Sequence, residues 1–218
     1  NYYSKSTGNL ELTANWGLNT DGTGGAPPNF TNASQVFNIR NRATAKIGAA
    51  WTVSGAWSKI VVGDGSAIDF VIPGTFAVTG TVDVAASATL TINSAAVPTL
   101  GVLNATSTVV FARTSGGQSI PANTYNNITL SNSSGTNTAT GAIVVNGALV
   151  TTSGGVFALG ANQLTGALTS ITHNGTITTT STANPAIPTG KNWSGGTTGL
   201  VTFARTAGAQ FIPAGTYK

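Results

Sequence analysis

One fifteen-residue segment occurs twice in this chain of 218 residues. Residues 111–125 read FARTSGGQSIPANTY and residues 203–217 read FARTAGAQFIPAGTY, so 11 of the 15 positions are identical at an offset of 92. Such a duplication is typical of repeat architectures, in which each structural unit stacks on the next. The Ile-Pro-Ala triplet at residues 120–122 indicates a corner, because proline lacks the N–H that a strand ladder needs.

Apolar and polar residues alternate along the chain from Gln35 onward, which is the pattern of strands with one buried face. The clearest run covers residues 81–93, in which one parity is entirely apolar and the other is mostly polar. Turn-forming residues such as Gly63-Asp64-Gly65 and Asn146-Gly147 separate these runs. No segment combines helical spacing with helix caps, so the predicted class is all-β.

Two all-β architectures agree with this pattern. Tandem β-sandwiches would place antiparallel strands about every 8–12 residues. A parallel β-solenoid, or β-helix, would stack coils, and the offset of 92 divides into four coils of about 23 residues or five of about 18. Only 6% of residues are charged, which suits stacked coils because like charges on neighbouring strands repel. We therefore predict a parallel β-solenoid, with tandem β-sandwiches as the alternative.

The expected organisation is an irregular N-terminal cap over residues 1–35 and a β-solenoid body over residues 36–218. The cap lacks sustained alternation, and we expect Trp16 and Phe30 to cover the apolar end that a stack of repeats would expose. The second copy of the repeat stops at Lys218. We therefore expect a solenoid that is truncated at its C-terminus and a sequence that is a fragment of a longer repetitive protein.

The charge pattern argues against several classes of partner. The net charge is +4, but the basic residues are spread along the chain, with only a modest cluster at residues 40–46. Nucleic-acid binding requires a dense basic surface. Cysteine is absent, and no long apolar run of membrane-spanning length occurs. We expect no nucleic-acid partner, no cofactor and no membrane insertion by this part of the chain.

Three features of the chain resemble very large, repetitive surface proteins of Bacteroidetes-type bacteria. They are the YYSKSTGNL segment at residues 2–10, the Trp16-Gly17 pair followed by NTDGTG at residues 19–24, and the Ile-Pro-Ala-x-Thr-Tyr module of the repeat. The proteins with these features are similar to filamentous adhesins and are typically exported by the type IX secretion system. The resemblance implies secretion, a β-solenoid stalk, and roles in attachment, gliding or prey capture. It implies no catalytic or binding residue.

Few residues of the chain are suited to catalysis or metal binding. Asp64 and Asp69 are the closest pair of carboxylates, and glycoside hydrolysis requires two carboxylates roughly 5–10 Å apart. The glycines on both sides of Asp64 favour a turn. Asp21 offers one carboxylate, whereas calcium takes about six to eight oxygen ligands. His173 is the sole histidine, and the Asn-Gly pair after it indicates an exposed turn. We predict no catalytic residue and no metal site.

Aromatic and basic side chains are the remaining candidates for ligand contacts. Trp51, Trp57 and Trp193 could form platforms on which sugar rings stack, although packing at coil corners is the simpler interpretation. Arg113 and Arg205 recur in the repeat and could bind an acidic glycan at a regular spacing. The simpler interpretation of the arginines is a solvated strand end that was duplicated with its surroundings.

The sequence as a whole favours a structural role without enzymatic activity. The leading hypothesis is a stalk segment of a bacterial cell-surface adhesin or extracellular filament. The alternatives are a carbohydrate-active enzyme of β-helix shape, either a lyase or a hydrolase, and a discrete glycan-binding module. The expected location is extracellular, at the cell surface. The expected partners are further copies of the chain, through side or end contacts, and surface glycans.

Overall fold

The computed structural model describes residues 1–217, and the chain divides into two compact units, Asn1–Val109 and a second unit that begins at Val110. The described residues are almost entirely strands and turns, with a short 3₁₀ helix at Thr13–Asn15. No helix within residues 1–217 has the length and apolar character needed to cross a membrane. The division at 109/110 differs from the cap and body expected from the sequence, and Lys218, the last residue of that body, lies outside the described residues.

Eleven strands belong to the first unit. They are β1 (Tyr2–Ser4), β2 (Trp16–Gly17), β3 (Val36–Ile39), β4 (Thr44–Lys46), β5 (Trp51–Thr52), β6 (Lys59–Val62), β7 (Asp69–Ile72), β8 (Val78–Thr79), β9 (Thr81–Val84), β10 (Thr89–Ile92) and β11 (Thr99–Leu103). The next strand, β12 (Thr108–Phe111), contains the boundary between the units.

The first unit is a stack of coils, because strands of successive circuits pair in parallel. One ladder joins β3, β6, β9 and β11, a second joins β4, β7 and β10, and a third joins β5 and β8. Val36 pairs with Lys59, which in turn pairs with Thr81, so the chain returns to the same ladder after each circuit. Parallel pairing between successive circuits defines a β-solenoid and confirms the predicted fold. The alternative of tandem β-sandwiches is wrong, because sandwich sheets are antiparallel.

Thirteen strands belong to the second unit within residues 110–217. They are β13 (Ser119–Ile120), β14 (Asn123–Tyr125), β15 (Asn127–Leu130), β16 (Thr136–Ala139), β17 (Ile143–Val145), β18 (Ala148–Thr151), β19 (Val156–Gly160), β20 (Leu164–Thr165), β21 (Ser170–His173), β22 (Thr176–Thr179), β23 (Lys191–Asn192), β24 (Leu200–Phe203) and β25 (Gly215–Thr216).

The second unit is also a β-solenoid. Its parallel ladders are β13-β16-β19-β22-β24, β14-β17-β20, β15-β18-β21 and β23-β25. Pro121 lies between β13 and β14, at the corner that the Ile-Pro-Ala triplet predicts.

The core of each unit consists of the inward side chains of alternate strand positions. Phe70, Leu90 and Ile128 are fully buried, while the residues beside them on the same strands are only half-buried. The run at 81–93 is two strands and not one, because the chain turns a corner between Ala85 and Ala88. This corner keeps the alternation in phase, so it leaves no break in the sequence pattern.

The N-terminal residues close one end of the first unit. Trp16 is fully buried, with its ring centroid 5.3 Å from that of Phe37 and 5.6 Å from that of Trp51. The ring centroids of Phe30 and Phe37 are 5.0 Å apart. Trp16 and Phe30 therefore cover the core, as expected. Residues 1–35 are more regular than expected, because β1 pairs with β3 in parallel and with β2 antiparallel.

The two copies of the repeat lie on different faces of the second unit. The carbonyl of Phe111 accepts a hydrogen bond from Ser131, next to β15, whereas Phe203 pairs with Thr179 of β22. β15 and β22 belong to different ladders. The offset of 92 residues is therefore not a whole number of coils.

Candidate functional site

The tryptophans differ sharply in exposure. Trp51 and Trp193 are each 1% exposed and pack in the core, whereas Trp57 is 89% exposed. The expectation of packing at a coil corner therefore fails for Trp57. Because a buried ring offers no face to a ligand, Trp57 is the one sequence-predicted platform that remains available.

Trp57 lies in a turn that is tied to the neighbouring loop. The N–H of Ser34 donates to the carbonyl of Ala56 at 2.8 Å, and the hydroxyl of Ser58 donates to the carbonyl of Asn32, also at 2.8 Å. The backbone at Trp57 has a φ of 65°, in the left-handed region, which costs a residue with a Cβ about 1–2 kcal/mol. The hydrogen bonds of Ala56 and Ser58 to the neighbouring loop therefore hold the exposed indole of Trp57 in a strained turn.

The arginines of the repeat are engaged with their own turns. In each copy, the backbone N–H of the arginine donates to the side-chain oxygen of the glutamine five residues later, at 3.2 Å for Arg113 and 3.1 Å for Arg205. Each guanidinium donates to the backbone carbonyl four residues after the arginine. Part of each guanidinium is thus occupied in holding the turn, which supports a structural role for the recurring arginine.

The tyrosines of the repeat make a second set of contacts that is the same in both copies. The hydroxyl of Tyr125 donates to the carbonyl of Pro121 at 2.8 Å, and that of Tyr217 donates to Pro213 at 2.9 Å. Each ring also meets the phenylalanine that begins its copy, with centroids 6.3 Å apart in the first copy and 6.1 Å in the second. Burial raises the pKa of both phenols above the ordinary value. The repeated sequence is therefore a repeated local structure.

The carboxylates of Asp64 and Asp69 have separate structural partners. Asp64 forms an ion pair with Arg40, with 2.9 Å between Nη1 and Oδ2. Asp69 accepts a hydrogen bond from the hydroxyl of Thr91 on the adjacent strand at 2.9 Å. Gly63 and Gly65 both have positive φ, as the turn predicted at Asp64 requires. The structure thus gives each carboxylate a local role in holding a turn or a ladder.

Asp83 is a buried carboxylate that the sequence pattern places on the polar side of its strand. It is 7% exposed and pairs with Lys59, with 2.7 Å between Nζ and Oδ2. Its other oxygen accepts the N–H of Val102 at 2.8 Å. A Cβ at Gly101 would lie 2.1 Å from this oxygen, so glycine is required for the carboxylate to reach the backbone. Asp83 joins β6, β9 and β11 and is a structural residue.

Asp21 forms the turn expected from its sequence. Its Oδ1 accepts the N–H of Thr23 at 2.9 Å and the hydroxyl of the same residue at 2.7 Å. These hydrogen bonds to the charged form lower the pKa of Asp21. Within residues 1–217 no group of three or more histidine, cysteine or acidic side chains is positioned to hold a metal ion.

His173 is fully buried, so the expectation of an exposed turn residue is wrong. It is the last residue of β21 and pairs with Thr151 of β18, which directs it into the core. Its Nδ1 lies 2.7 Å from the hydroxyl of Thr151, and its Nε2 lies 3.1 Å from the carbonyl of Leu200. A carbonyl only accepts, so Nε2 carries a proton toward Leu200, and in the neutral imidazole Nδ1 accepts from the hydroxyl of Thr151. His173 therefore links three consecutive coils.

The basic cluster at residues 40–46 contributes mainly to the attachment of the N-terminal segment. The guanidinium of Arg42 donates to the carbonyls of Lys5, Thr7 and Gly8, and burial lowers its pKa. Arg42 also lines a surface depression of about 330 Å³ together with Lys46. The carbonyls therefore use much of the hydrogen-bonding capacity of the guanidinium, which ties Arg42 to the N-terminal segment.

The candidate functional features are therefore one exposed tryptophan and one recurring structural module. Trp57 was among the residues singled out from the sequence, but its exposure could not be distinguished from burial by the local pattern. No protein-family model matches the chain, and neither a curated protein nor a solved structure shows significant similarity to it.

Proposed function

We propose that this chain is a structural stalk segment of a bacterial cell-surface adhesin or extracellular filament, exported to the cell exterior. The observation that carries the proposal is the stacking of successive coils through parallel ladders in both units. A stack of this kind can be lengthened by adding coils, and each coil contacts mainly its neighbours. Length and stiffness are thus the properties that the fold supplies most directly.

The use of the polar residues supports the same proposal. Asp64, Asp69 and Asp83 hold turns and ladders, and the arginines of the repeat hold their own turns. A surface with few charges and many Thr, Ser and Asn side chains is suited to contacts with glycans or with sister chains. The role in attachment, gliding or prey capture would then belong to the assembled surface protein.

A blocking experiment tests the stalk proposal. Fab fragments raised against residues 1–218 should reduce attachment of the producing cells to their surface, whereas Fab fragments against an unrelated surface protein should not. A double variant, Asp64→Ala with Asp69→Ala, separates this proposal from a carbohydrate-active enzyme. The stalk should support attachment equally well with the double variant. Degradation of a polysaccharide that is lost in the double variant would instead establish an enzyme.

A second candidate function is glycan binding at Trp57, and the observation that favours it is the 89% exposure of an indole held in a strained turn. Exposed aromatic rings of this kind are common anchors of binding surfaces. The exposed residues beside it, Asn32, Ser34 and Ser54, are uncharged hydrogen-bonding groups.

The variant Trp57→Gly tests glycan binding and fold stability together. Glycine removes the ring and relieves the positive φ, so saturable binding on a glycan array should be lost while the free energy of unfolding stays equal or rises by about 1 kcal/mol. Trp57→Phe is the matched control, because it keeps an aromatic face. Binding that persists in Trp57→Gly would show that the ring is not the platform.

A further inference from the structure

Two surface depressions of the first unit lie next to each other along the stack of coils. One, of about 330 Å³, lies between the N-terminal segment at residues 6–9 and the coil that carries Arg42 and Lys46. The other, of about 350 Å³, lies between residues 40–43 of that coil and the turn at residues 64–68 of the next coil. Because β1, β3 and β6 are successive strands of one ladder, the depressions are offset by about one strand spacing, roughly 5 Å. Arg42 lines both of them.

Positive charge predominates among the residues that line the two depressions. Arg40, Arg42 and Lys46 are cations, and Asp64 is the one acidic residue in either lining within residues 1–217. The carbonyls that accept from Arg42 are uncharged, so they leave its positive charge in place. The exposed Lys46 takes part in neither of the ion pairs found within residues 1–217. The two depressions therefore attract an anionic ligand.

The ion pair of Arg40 shows how this guanidinium binds a carboxylate. Its Nη1 lies 2.9 Å from Oδ2 of Asp64, and the two side chains are 31% and 28% exposed. The ring of Tyr3 supports the guanidinium, with 5.7 Å between Cζ and the ring centroid. The Nε of Arg40 has no hydrogen-bond acceptor within residues 1–217. An ion pair this exposed contributes little to stability, so an acidic group of a ligand can compete with Asp64 for Arg40.

Uncharged hydrogen-bonding groups surround these cations. The linings include the hydroxyl groups of Ser6, Thr7, Thr44 and Ser66 and the amide of Asn9. Neither lining contains an aromatic side chain within residues 1–217. Single-stranded nucleic acids stack on aromatic rings, and duplexes require many phosphate contacts. A ligand that carries both hydroxyl and acidic groups fits this surface better, and an acidic polysaccharide has both.

We propose that the two depressions bind neighbouring sugars of a polysaccharide that carries carboxylate or sulfate groups. Arg40 and Lys46 contact the acidic groups, and the hydroxyl and amide side chains contact the sugar hydroxyls. Each depression is at the small end of the range for ligand pockets, which suits one sugar ring in each. Arg42 holds the N-terminal segment that forms one wall. This site goes beyond the proposed stalk function, and Trp57 lines neither depression.

The test uses the protein of residues 1–218 and oligogalacturonate, with the fully methyl-esterified oligosaccharide as the uncharged control. Isothermal titration calorimetry should show saturable binding of oligogalacturonate and no binding of the ester. Arg40→Gln should weaken binding about tenfold and Lys46→Gln about fivefold, because each variant removes one cation from the site. Asp64→Asn should strengthen binding about threefold or more, because it removes the competing carboxylate.

Arg205→Gln is the matched control, because it removes one positive charge from a turn outside the two depressions. It should leave binding unchanged, and so should Trp57→Gly, which separates this site from glycan binding at Trp57. Urea denaturation of Arg40→Gln and Lys46→Gln should show that both variants remain folded. Sulfated dextran should also bind, and its affinity relative to that of oligogalacturonate identifies the acidic group that the site prefers.

Four outcomes would overturn the proposal. Binding of neither polymer, or equal binding of the methyl ester, would show that the depressions do not recognise an acidic polysaccharide. Equal weakening by Arg205→Gln and Arg40→Gln would attribute binding to the net charge of the chain. A single-stranded oligonucleotide that bound more tightly than both polymers would identify a nucleic-acid surface instead.

Discussion

Replacing Gly117 by alanine tests the close stacking of coils at the repeat. An added Cβ would lie 1.6 Å from the carbonyl oxygen of Thr136, whereas non-bonded heavy atoms normally lie about 3.5–4 Å apart. The contact is with backbone and not with the end of a flexible side chain, so β16 would have to move. That movement would stretch the hydrogen bond from Thr138 to Gln118, which is 2.9 Å long.

The expected cost of Gly117→Ala combines two terms. Overpacking costs about 1–3 kcal/mol, and a weakened backbone hydrogen bond costs about 1 kcal/mol more. The free energy of unfolding should therefore fall by about 2–4 kcal/mol. Urea denaturation followed by far-UV circular dichroism would show this as a midpoint lowered by roughly 1–2 M, for a dependence of about 2 kcal/mol per molar urea.

Gly74→Ala is the matched control for this prediction. The nearest atom to a Cβ at Gly74 is the carbonyl oxygen of Asn93 at 3.5 Å, an ordinary contact. Alanine there should leave stability unchanged or raise it by about 0.4–1 kcal/mol, because it restricts the unfolded chain. If Gly117→Ala were as stable as Gly74→Ala, the spacing between β13 and β16 described above would be wrong.

Three further predictions concern buried polar groups. Tyr125→Phe should lower the free energy of unfolding by about 1 kcal/mol, because Tyr125 is fully buried. Tyr217→Phe should lower it by less, because water can replace the hydrogen bond of the half-buried Tyr217 hydroxyl. Urea denaturation of both variants checks this difference. Burial raises the folded-state pKa of Tyr125 above its ordinary value of 10.0. The contribution of this group to stability should therefore be full below about pH 10 and should fall as the pH rises further. Thermal unfolding across that pH range should show a smaller fall in stability for Tyr125→Phe than for the unchanged protein. Asp83→Ala should lower the free energy of unfolding by about 1–3 kcal/mol, since the N–H of Val102 loses its acceptor. Asp64→Ala should cost about 0–1 kcal/mol, because the side chain of Asp64 is 28% exposed and that of Asp83 is 10% exposed; equal effects in urea denaturation would contradict this difference in burial.

Much of the architecture follows from the sequence, because a β-solenoid requires apolar and polar residues to alternate along each strand and similar patterns to recur from coil to coil. The alternation at residues 81–93 correctly identifies Val82, Val84, Leu90 and Ile92 as inward residues, and Pro121 correctly marks a corner. The corner between Ala85 and Ala88 was not predictable, because it adds residues without shifting the phase of the alternation. Alternation reports which face a residue occupies, but it does not report where a coil bends.

The candidate site was less predictable because exposure depends on the neighbouring coils. His173 precedes an Asn-Gly pair that suggests a turn, yet register with Thr151 buries it. Asp83 lies on the polar parity, yet the missing side chain of Gly101 lets the next strand cover it. Trp51 and Trp57 each follow an alanine and precede a small hydroxyl residue, yet Trp51 lies in β5 and is buried, whereas Trp57 lies in a turn with a φ of 65° and is exposed. These outcomes are set by contacts between coils that no local pattern contains.

Electron microscopy of the producing cells tests the proposed stalk function most directly. An antibody against residues 1–218, carrying a gold label, would be applied to intact cells. The proposal predicts label at the cell surface, along thin extended structures that project from it. Label confined to soluble particles in the medium or to the cell interior would contradict the proposal.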